Sequence, residues 1–196
     1  MNVMQRDEHL QQMLETELGG ILVYEAALQC ALNEDLKEEW EKYLEQTKRH
    51  AQIVQTLMET LQVMPQETPG RLVVRHIGKS LVAAIKMSKA SAPPAAAEIV
   101  ACECVVHAET KDHSNWELLA TYGQAAKGEE KKAIEAAVEE IEDQEDEHLY
   151  HTKGWCRELS IANLGMKAVI PPPEEQKDVK TAIGAARAQQ ARKELM

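Results

Sequence analysis

The sequence contains no phenylalanine, and its runs of β-branched residues are short. Both features disfavour a β-sheet, in which aromatic and β-branched side chains are enriched. The prolines are confined to three places, Pro65/Pro69, Pro93/Pro94 and Pro171–Pro173, which leaves the long stretches between them free to form helices. We therefore expect an all-α protein, and 196 residues are enough for one domain with a sizeable core.

Positive charge is scarce in this sequence. The 22 lysines and arginines are outnumbered by 33 acidic residues, which gives a net charge of −11 and argues against a nucleic-acid partner. The acidity is concentrated between Glu129 and Glu147, where ten acidic residues stand against two lysines. We expect most of these residues to form a solvated helix face and some of them to be available as ligands.

Long apolar runs are absent as well. No uncharged stretch reaches the length of a membrane span, so no membrane partner is expected. The first eight residues lack the apolar core of a signal peptide, and we expect a cytoplasmic protein. The cysteines form no Cys-x-x-Cys pair, which excludes a rubredoxin-like or zinc-ribbon site and favours reduced, buried thiols. They are Cys30, Cys102, Cys104 and Cys156.

Apolar residues recur at three- and four-residue steps in four long stretches, which is typical of helices with one buried face. The first two helices are predicted from about Asp7 to Leu32 and from about Glu34 to Val63, with Asn33 capping the second. The short turn between them makes the two helices antiparallel neighbours. A Gly19-Gly20 pair inside the first helix permits the close approach of another helix.

In an antiparallel pair, residues at equal distance from the turn lie at the same level. This places Glu17 level with His50, and Glu25 level with Tyr43 about two turns away. Thr47 and His50 both fall in the apolar stripe of the second helix. We interpret Tyr43 as an ordinary core aromatic residue, and the alternative is a hydrogen-bond donor or radical site beside a metal.

Residues 64–94 form a crossover that contains a short basic amphipathic helix, Gly70–Lys89. We favour a connector packed along the bundle over a helix lying on a membrane surface. The crossover belongs to a predicted bundle domain over residues 1–164. Residues 165–196 form a tail that begins at a proline cluster and contains a candidate helix. We expect a homo-oligomer, a dimer, in which the tail or the crossover packs on the second subunit.

The fourth long helix, Ile134–Leu159, carries Glu145 and His148 inside its apolar stripe. Residues three apart on a helix point the same way, and a buried carboxylate without a partner is costly, so a metal ion is one candidate partner. The third helix runs from after Pro94 to about Thr121. With the following loop at 122–128, Glu103 lies level with His148, and we prefer Glu103 to Glu109 as the ligand from this helix.

The predicted metal ligands come from all four long helices: Glu17, His50, Glu103, Glu145 and His148. A second set of candidates comprises Glu25, Tyr43, Thr47, His107, Glu109, His113 and Glu142. Carboxylate and imidazole ligands suit Fe or Mn, with Zn as a further option. The structural alternative is that the glutamate–histidine pairs are buried hydrogen-bonded pairs without a metal.

The order of these ligands resembles that of the ferritin-like superfamily. The run Leu44-Glu45-Gln46-Thr47-Lys48-Arg49-His50 is similar to the "His-Leu-Glu-Glu-Thr-x-x-His" run of the YciE/YciF-type ferritin-like stress proteins. The resemblance covers roughly Asp7–Leu159, without the crossover. It implies a four-helix bundle of two antiparallel hairpins around a pair of metal ions. It also implies that Glu145 bridges the ions, that Glu17 and Glu103 are carboxylate ligands, and that both histidines are terminal ligands.

One position departs from the family pattern, because Thr47 stands where a ligand glutamate is expected and Gln46 stands at the adjacent carboxylate position. The resemblance predicts an oxidoreductase of the ferroxidase, peroxidase or catalase-like kind, with oxygen or hydrogen peroxide as partner, in oxidative-stress defence. The missing carboxylate keeps a second hypothesis open. This is a non-enzymatic helical-bundle protein with a stress-protective or interaction role and a degenerate or absent metal site.

Overall fold

The computed structural model describes residues 2–194, and the regular secondary structure within this range is entirely helical, with no strand. The expected all-α class is confirmed. The first residue of the predicted bundle domain and the last two of the predicted tail lie outside the described residues. The helices are α1 (Val3–Ala27), α2 (Glu34–Thr60), α3 (Pro69–Ser91), α4 (Pro94–Ala125), α5 (Gly128–Asn163), α6 (Pro173–Gln176) and α7 (Ala182–Ala191), followed by a 3₁₀ turn at Arg192–Glu194.

Polar caps and prolines fix where the helices begin. The Asn33 side chain accepts a hydrogen bond of 3.1 Å from the Leu36 amide, as expected for the cap of α2. The Thr68 hydroxyl does the same for the Arg71 amide at 3.1 Å, and Pro69 is the first residue of α3. The cap of α2 fixes the turn about which α1 and α2 mirror each other.

The four long helices contact one another in a closed cycle, in which α1 packs on α2 and α4, and α5 packs on α2 and α4. Helix α3 packs outside this cycle against α1 and α4, which is the connector role expected for the basic segment. Glu15 of α1 pairs with Arg71 and with Arg75 of α3 at 2.7 Å each. Among residues 2–194, no helix combines the length and apolarity needed to span a membrane.

Two glycines on α1 allow its neighbours to come close. A Cβ atom on Gly19 would lie 3.8 Å from the Gly78 Cα of α3, so two backbones without side chains cross there. A Cβ atom on Gly20 would lie 3.3 Å from the Thr47 Cγ2 of α2, which is a tight contact. The glycine pair therefore serves the close helix approach that the sequence predicts.

The core consists of two apolar clusters, and each long helix contributes to both. One cluster contains Tyr24, Trp40, Val105 and Trp155, and the other contains Leu10, Val54, Leu119 and Ile134. On every long helix a short stretch between the two contributions carries buried polar residues instead. The fold thus places a polar layer between two apolar layers, and this layer contains the candidate metal centre.

The tail packs on α5 of its own chain. Both terminal nitrogens of Arg157 donate to the Glu174 carboxylate, at 2.8 and 2.7 Å. Further along, the Val179 carbonyl lies 3.1 Å from His151 Nε2. Gly154 provides the space for this contact, because a Cβ atom there would lie 2.6 Å from Glu174 Oε2 and 3.0 Å from the Pro172 Cβ.

We expect Gly154→Ala to loosen the tail, because the added methyl group collides with a carboxylate that Arg157 holds in place. Hydrogen exchange of residues 166–191 should become faster, while exchange in α1 and α2 should not change. Lys153→Ala places a methyl-sized side chain on the neighbouring exposed position and serves as the control. Equal exchange rates in the two variants would contradict this account of Gly154.

Candidate metal centre

Six buried residues with metal-binding side chains meet in the polar layer. Each is at most 4% exposed, and they come from all four long helices: Glu17, His50, Glu109, Asp112, Glu145 and His148. On α4 and on α5 the two members are three residues apart, which places both on the inward face of the helix. Helices α1 and α2 each contribute one of the six residues, Glu17 and His50. These two residues meet because they lie at equal distances along the chain from the turn at Asn33.

The first group of donors consists of His50, Glu145 and His148, with one ligand atom of each within 4.8 Å of the others. His50 Nδ1 lies 2.9 Å from Glu145 Oε1, and the two imidazole rings are stacked with centroids 5.5 Å apart. Glu109 Oε2 adds a further oxygen at 3.5 Å from His148 Nδ1. These atoms converge from three helices on one small volume.

The second group of donors consists of Glu17, Asp112 and Glu145, again within 4.8 Å of one another. Trp116 Nε1 donates to Glu17 Oε1 at 3.0 Å, which orients this carboxylate and leaves its Oε2 facing the layer. Glu145 belongs to both groups. The two groups are therefore adjacent and share one carboxylate.

Two glutamines fix the orientation of the histidines. Gln144 donates its amide N–H to the Glu140 carbonyl at 3.1 Å, so its Oε1, 3.0 Å from His50 Nε2, accepts from the ring. Gln46 Oε1 lies 2.9 Å from His148 Nε2 in the same manner. Gln46 lies four residues before His50 on α2 but pairs with His148 of α5. Gln144 lies four residues before His148 on α5 but pairs with His50 of α2. With Nε2 carrying the proton, Nδ1 of both rings presents a lone pair to the centre.

Most of the metal-binding atoms that face the centre have no hydrogen-bond partner. Seven buried atoms are unpaired: Glu17 Oε2, His50 Nδ1, Glu109 Oε2, Asp112 Oδ1, both Glu145 oxygens and His148 Nδ1. Leaving a buried polar atom unpaired costs about 1–3 kcal/mol, and most such atoms in proteins are paired. Although His50 Nδ1 and Glu145 Oε1 approach to 2.9 Å, they are not aligned as a hydrogen bond. Two ligands at a right angle on one ion lie about 3 Å apart, so this separation fits shared coordination.

The four carboxyl groups have no ion pair with a lysine or arginine among the side chains that the structure describes. Burial and the charge of Asp112 raise the pKa of Glu17 well above its ordinary value. Burial and the neighbouring Glu109 raise the pKa of Glu145 to about 8, while burial lowers the pKa of His50. Protons or a cation must therefore compensate this charge.

The structure corrects the position expected for Glu103. This side chain is exposed, and Glu109 occupies the expected place at the level of His148. The reason is the length of α4, which continues to Ala125 and leaves only two residues before α5. The mirror point therefore lies closer to α5 than expected, which shifts the level partner of His148 on α4 by about three residues. Of the two glutamates on either side of that level, only Glu109 faces the core. Two members of the second set, Glu25 and His107, are exposed and outside the centre.

The remaining candidates lie next to the centre. The Tyr43 ring is 4.2 Å from the His148 ring, and its hydroxyl donates to Glu39 Oε1 at 2.7 Å, so it supports a ligand side chain. The Thr47 hydroxyl donates to the Tyr43 carbonyl at 2.9 Å, which directs its proton to the backbone of its own helix. His113 and Glu142 line a cavity that reaches the centre from outside.

Asp112 is the member of the centre that sequence reasoning missed. An aspartate in a run of charged residues on a helix is typical of a solvated face. The available signal was its position three residues after Glu109, which repeats the spacing of Glu145 and His148. Without the correct level for α4, this spacing could not be linked to the other helices.

Comparison with known proteins finds no matching protein family, curated protein or solved structure. The resemblance to ferritin-like stress proteins therefore stays a prediction. Assignment of a function depends on the geometry of the six buried side chains, on their unpaired atoms and on their charge.

The raised pKa values predict how stability depends on pH once metal has been removed with EDTA. Glu145, with an ordinary pKa of 4.5 and a folded-state pKa of about 8, binds its proton more tightly in the folded state. Its contribution to the free energy of unfolding is complete at low pH and is lost as the pH rises from about 4.5 through about 8, by at most about 1.4 kcal/mol per pH unit.

Chemical denaturation at pH 5, 6.5 and 8 measures this dependence. Glu145→Gln should make the decrease with pH less steep, because the amide does not titrate. Glu139→Gln removes one exposed carboxylate from the same helix and controls for net charge. A slope for Glu145→Gln equal to that of the control would show that Glu145 is not forced to hold a proton.

Proposed function

We propose that the protein binds divalent transition-metal ions in the polar layer, at two adjacent positions that share Glu145. One position takes His50, His148 and the nearby Glu109, and the other takes Glu17 and Asp112. The observation that carries this proposal is the set of seven unpaired donor atoms that converge without a lysine or arginine ion pair in residues 2–194. A cation satisfies all of these atoms and neutralises the carboxylates at once.

The composition of the donor set supports the proposal. Di-iron and di-manganese carboxylate bundles use four carboxylates and two histidines, as one glutamate from each of two helices and Glu-x-x-His from each of the others. The six residues here also comprise four carboxylates and two histidines. Asp112 on α4 supplies the carboxylate that Thr47 on α2 does not. We infer that the ferritin-like arrangement is retained with one ligand moved to a different helix.

Oxygen and imidazole donors suit iron, manganese or zinc. When bound, redox-active ions of this kind supply electron exchange with oxygen or hydrogen peroxide, which makes oxidative-stress defence the cellular role we propose. The chain itself fixes both histidine tautomers through Gln46 and Gln144 and orients Glu17 through Trp116. Two apolar clusters cover the layer above and below. The second candidate function is a helical stress or interaction protein without metal, for which neutral carboxylic acids must fill the layer.

The direct test is metal binding by a double variant, Glu145→Ala with His148→Ala. Elemental analysis of the purified protein, and calorimetric titration with Mn²⁺, Zn²⁺ and anaerobic Fe²⁺, should show binding by the wild type. We expect the variant to lose at least about 100-fold in affinity, since loss of an outer partner alone costs 10- to 100-fold. The reason is that the variant loses the shared carboxylate and one imidazole.

The chain offers a matched control for this experiment. Glu103→Ala with His107→Ala removes the same two residue types from exposed positions of α4. This control should bind metal as the wild type does. Absence of binding by the wild type, or equal binding by both double variants, would overturn the metal proposal and favour the scaffold function.

Asp112→Asn tests the two-ion arrangement separately. Asp112 belongs only to the group with Glu17, so its loss should reduce the stoichiometry from two ions to one and leave the histidine position occupied. Metal content per chain after gel filtration is the measurement. Asp143→Asn, an exposed change of the same type on α5, is the control. One ion in the wild type and an unchanged stoichiometry in Asp112→Asn would contradict a second position.

A further inference from the structure

A cavity of about 180 Å³ connects the centre with the protein surface between α4 and α5. Glu145 forms part of its wall, and both oxygens of this buried carboxylate lack hydrogen bonds. The wall also contains His113, Trp116, Glu117, Glu142 and Asp146. The cavity therefore reaches a group that both proposed metal positions share.

Exposure of the acidic wall residues decreases toward the centre. The Glu117 side chain is 69% exposed and Glu142 is exposed, whereas Asp146 is 18% exposed and Glu145 only 2%. Glu142, Glu145 and Asp146 are spaced three and four residues apart on α5, so they lie on one side of the helix. Carboxylates thus occur at the mouth, at an intermediate depth and at the inner end.

Carboxylates dominate the ionisable groups of this cavity, and His113 is the one basic side chain in its described wall. None of its described wall residues is a lysine or arginine. The partly buried Asp146 is held by His113, whose Nε2 lies 2.6 Å from Asp146 Oδ1. A narrow cleft lined by one sign of charge focuses its field and attracts ions of the opposite sign. The cavity therefore favours a cation and disfavours an anionic solute.

Four further cavities of the described chain do not reach the centre, because their walls contain none of the six buried donor residues. One of these lies between α1 and α3 beside Gly19 and Gly78, and another lies beside Glu98 and Leu159. The cavity between α4 and α5 is thus distinguished by its contact with Glu145.

We propose that this cavity is the route by which a divalent cation enters the centre, with Glu142 as the first contact and Asp146 as the intermediate one. The proposal rests on the metal-binding function proposed above. In it, Glu142 and Asp146 accelerate association and release the ion to Glu145, and they do not remain ligands of the bound ion. His113 positions the Asp146 carboxylate within the cavity.

The test is the rate of metal association, measured by stopped-flow mixing with Co²⁺ at low ionic strength. Trp116 reports binding through its fluorescence, since its ring nitrogen donates to Glu17 and its side chain lines the cavity. We expect Glu142→Gln with Asp146→Asn to slow association by about tenfold, with unchanged stoichiometry at equilibrium. Added salt should reduce the difference from wild type.

Glu139→Gln with Asp143→Asn is the matched control, because it removes the same charges from exposed positions of the same helix. A second variant, Ala120→Phe, narrows the cavity without changing charge and should also slow association. If metal associates with both altered-cavity variants as fast as with the control, the proposed route is overturned. A lower stoichiometry in the double variant would also overturn it, because it would make the two residues ligands. Absence of Co²⁺ binding by the wild type would instead refute the metal proposal itself.

Discussion

Four buried carboxyl groups and two imidazoles share one layer of the core, and the described chain gives them no lysine or arginine as ion-pair partner. This constraint governs the rest of the structure. Ionised carboxylates in such a place cost several kcal/mol each unless a proton or a cation compensates them. The energy that holds them there comes from the apolar layers on either side, in which large side chains such as Trp40, Trp155 and Ile134 are fully buried. Packing above and below keeps the polar layer in place.

The surroundings of the layer orient its donors inward. Gln46 and Gln144 each accept from the outer nitrogen of the histidine on the opposite helix, which leaves the inner nitrogens without protons. Trp116 holds one oxygen of Glu17 and leaves the other unpaired. A buried hydrogen-bonded network would have paired these atoms with one another. The partners here lie on the outer side only, which is the arrangement of outer contacts around metal ligands.

Much of this arrangement could be predicted from the sequence, and the part that could not has an identifiable cause. Glu17 and His50 were placed at one level because Asn33 defines a short, capped turn. The connection between α4 and α5 offers no comparable cap, since Lys127 makes no side-chain capping bond, and the turn was placed too early. In an antiparallel helix pair, an error of one residue in the centre of the turn shifts the predicted level partner on the other helix by two residues. That error accounts for about three of the six residues between Glu103 and Glu109, and it left Asp112 unlinked. The rest is direction, because the Glu103 side chain faces solvent and the Glu109 side chain faces the core.

The acidic run between Glu129 and Glu147 shows how one charge-rich stretch serves different purposes. Because the stretch is helical, its acidic side chains point in different directions around the helix axis. Glu135 and Glu139 are exposed, while Glu142 and Asp146 line the cavity and Glu145 reaches the centre. Negative charge at the surface, in the cavity and at the centre is compatible with the proposed passage of a cation from the surface inward. The same acidity that disfavours nucleic acid therefore suits the delivery of metal ions proposed above.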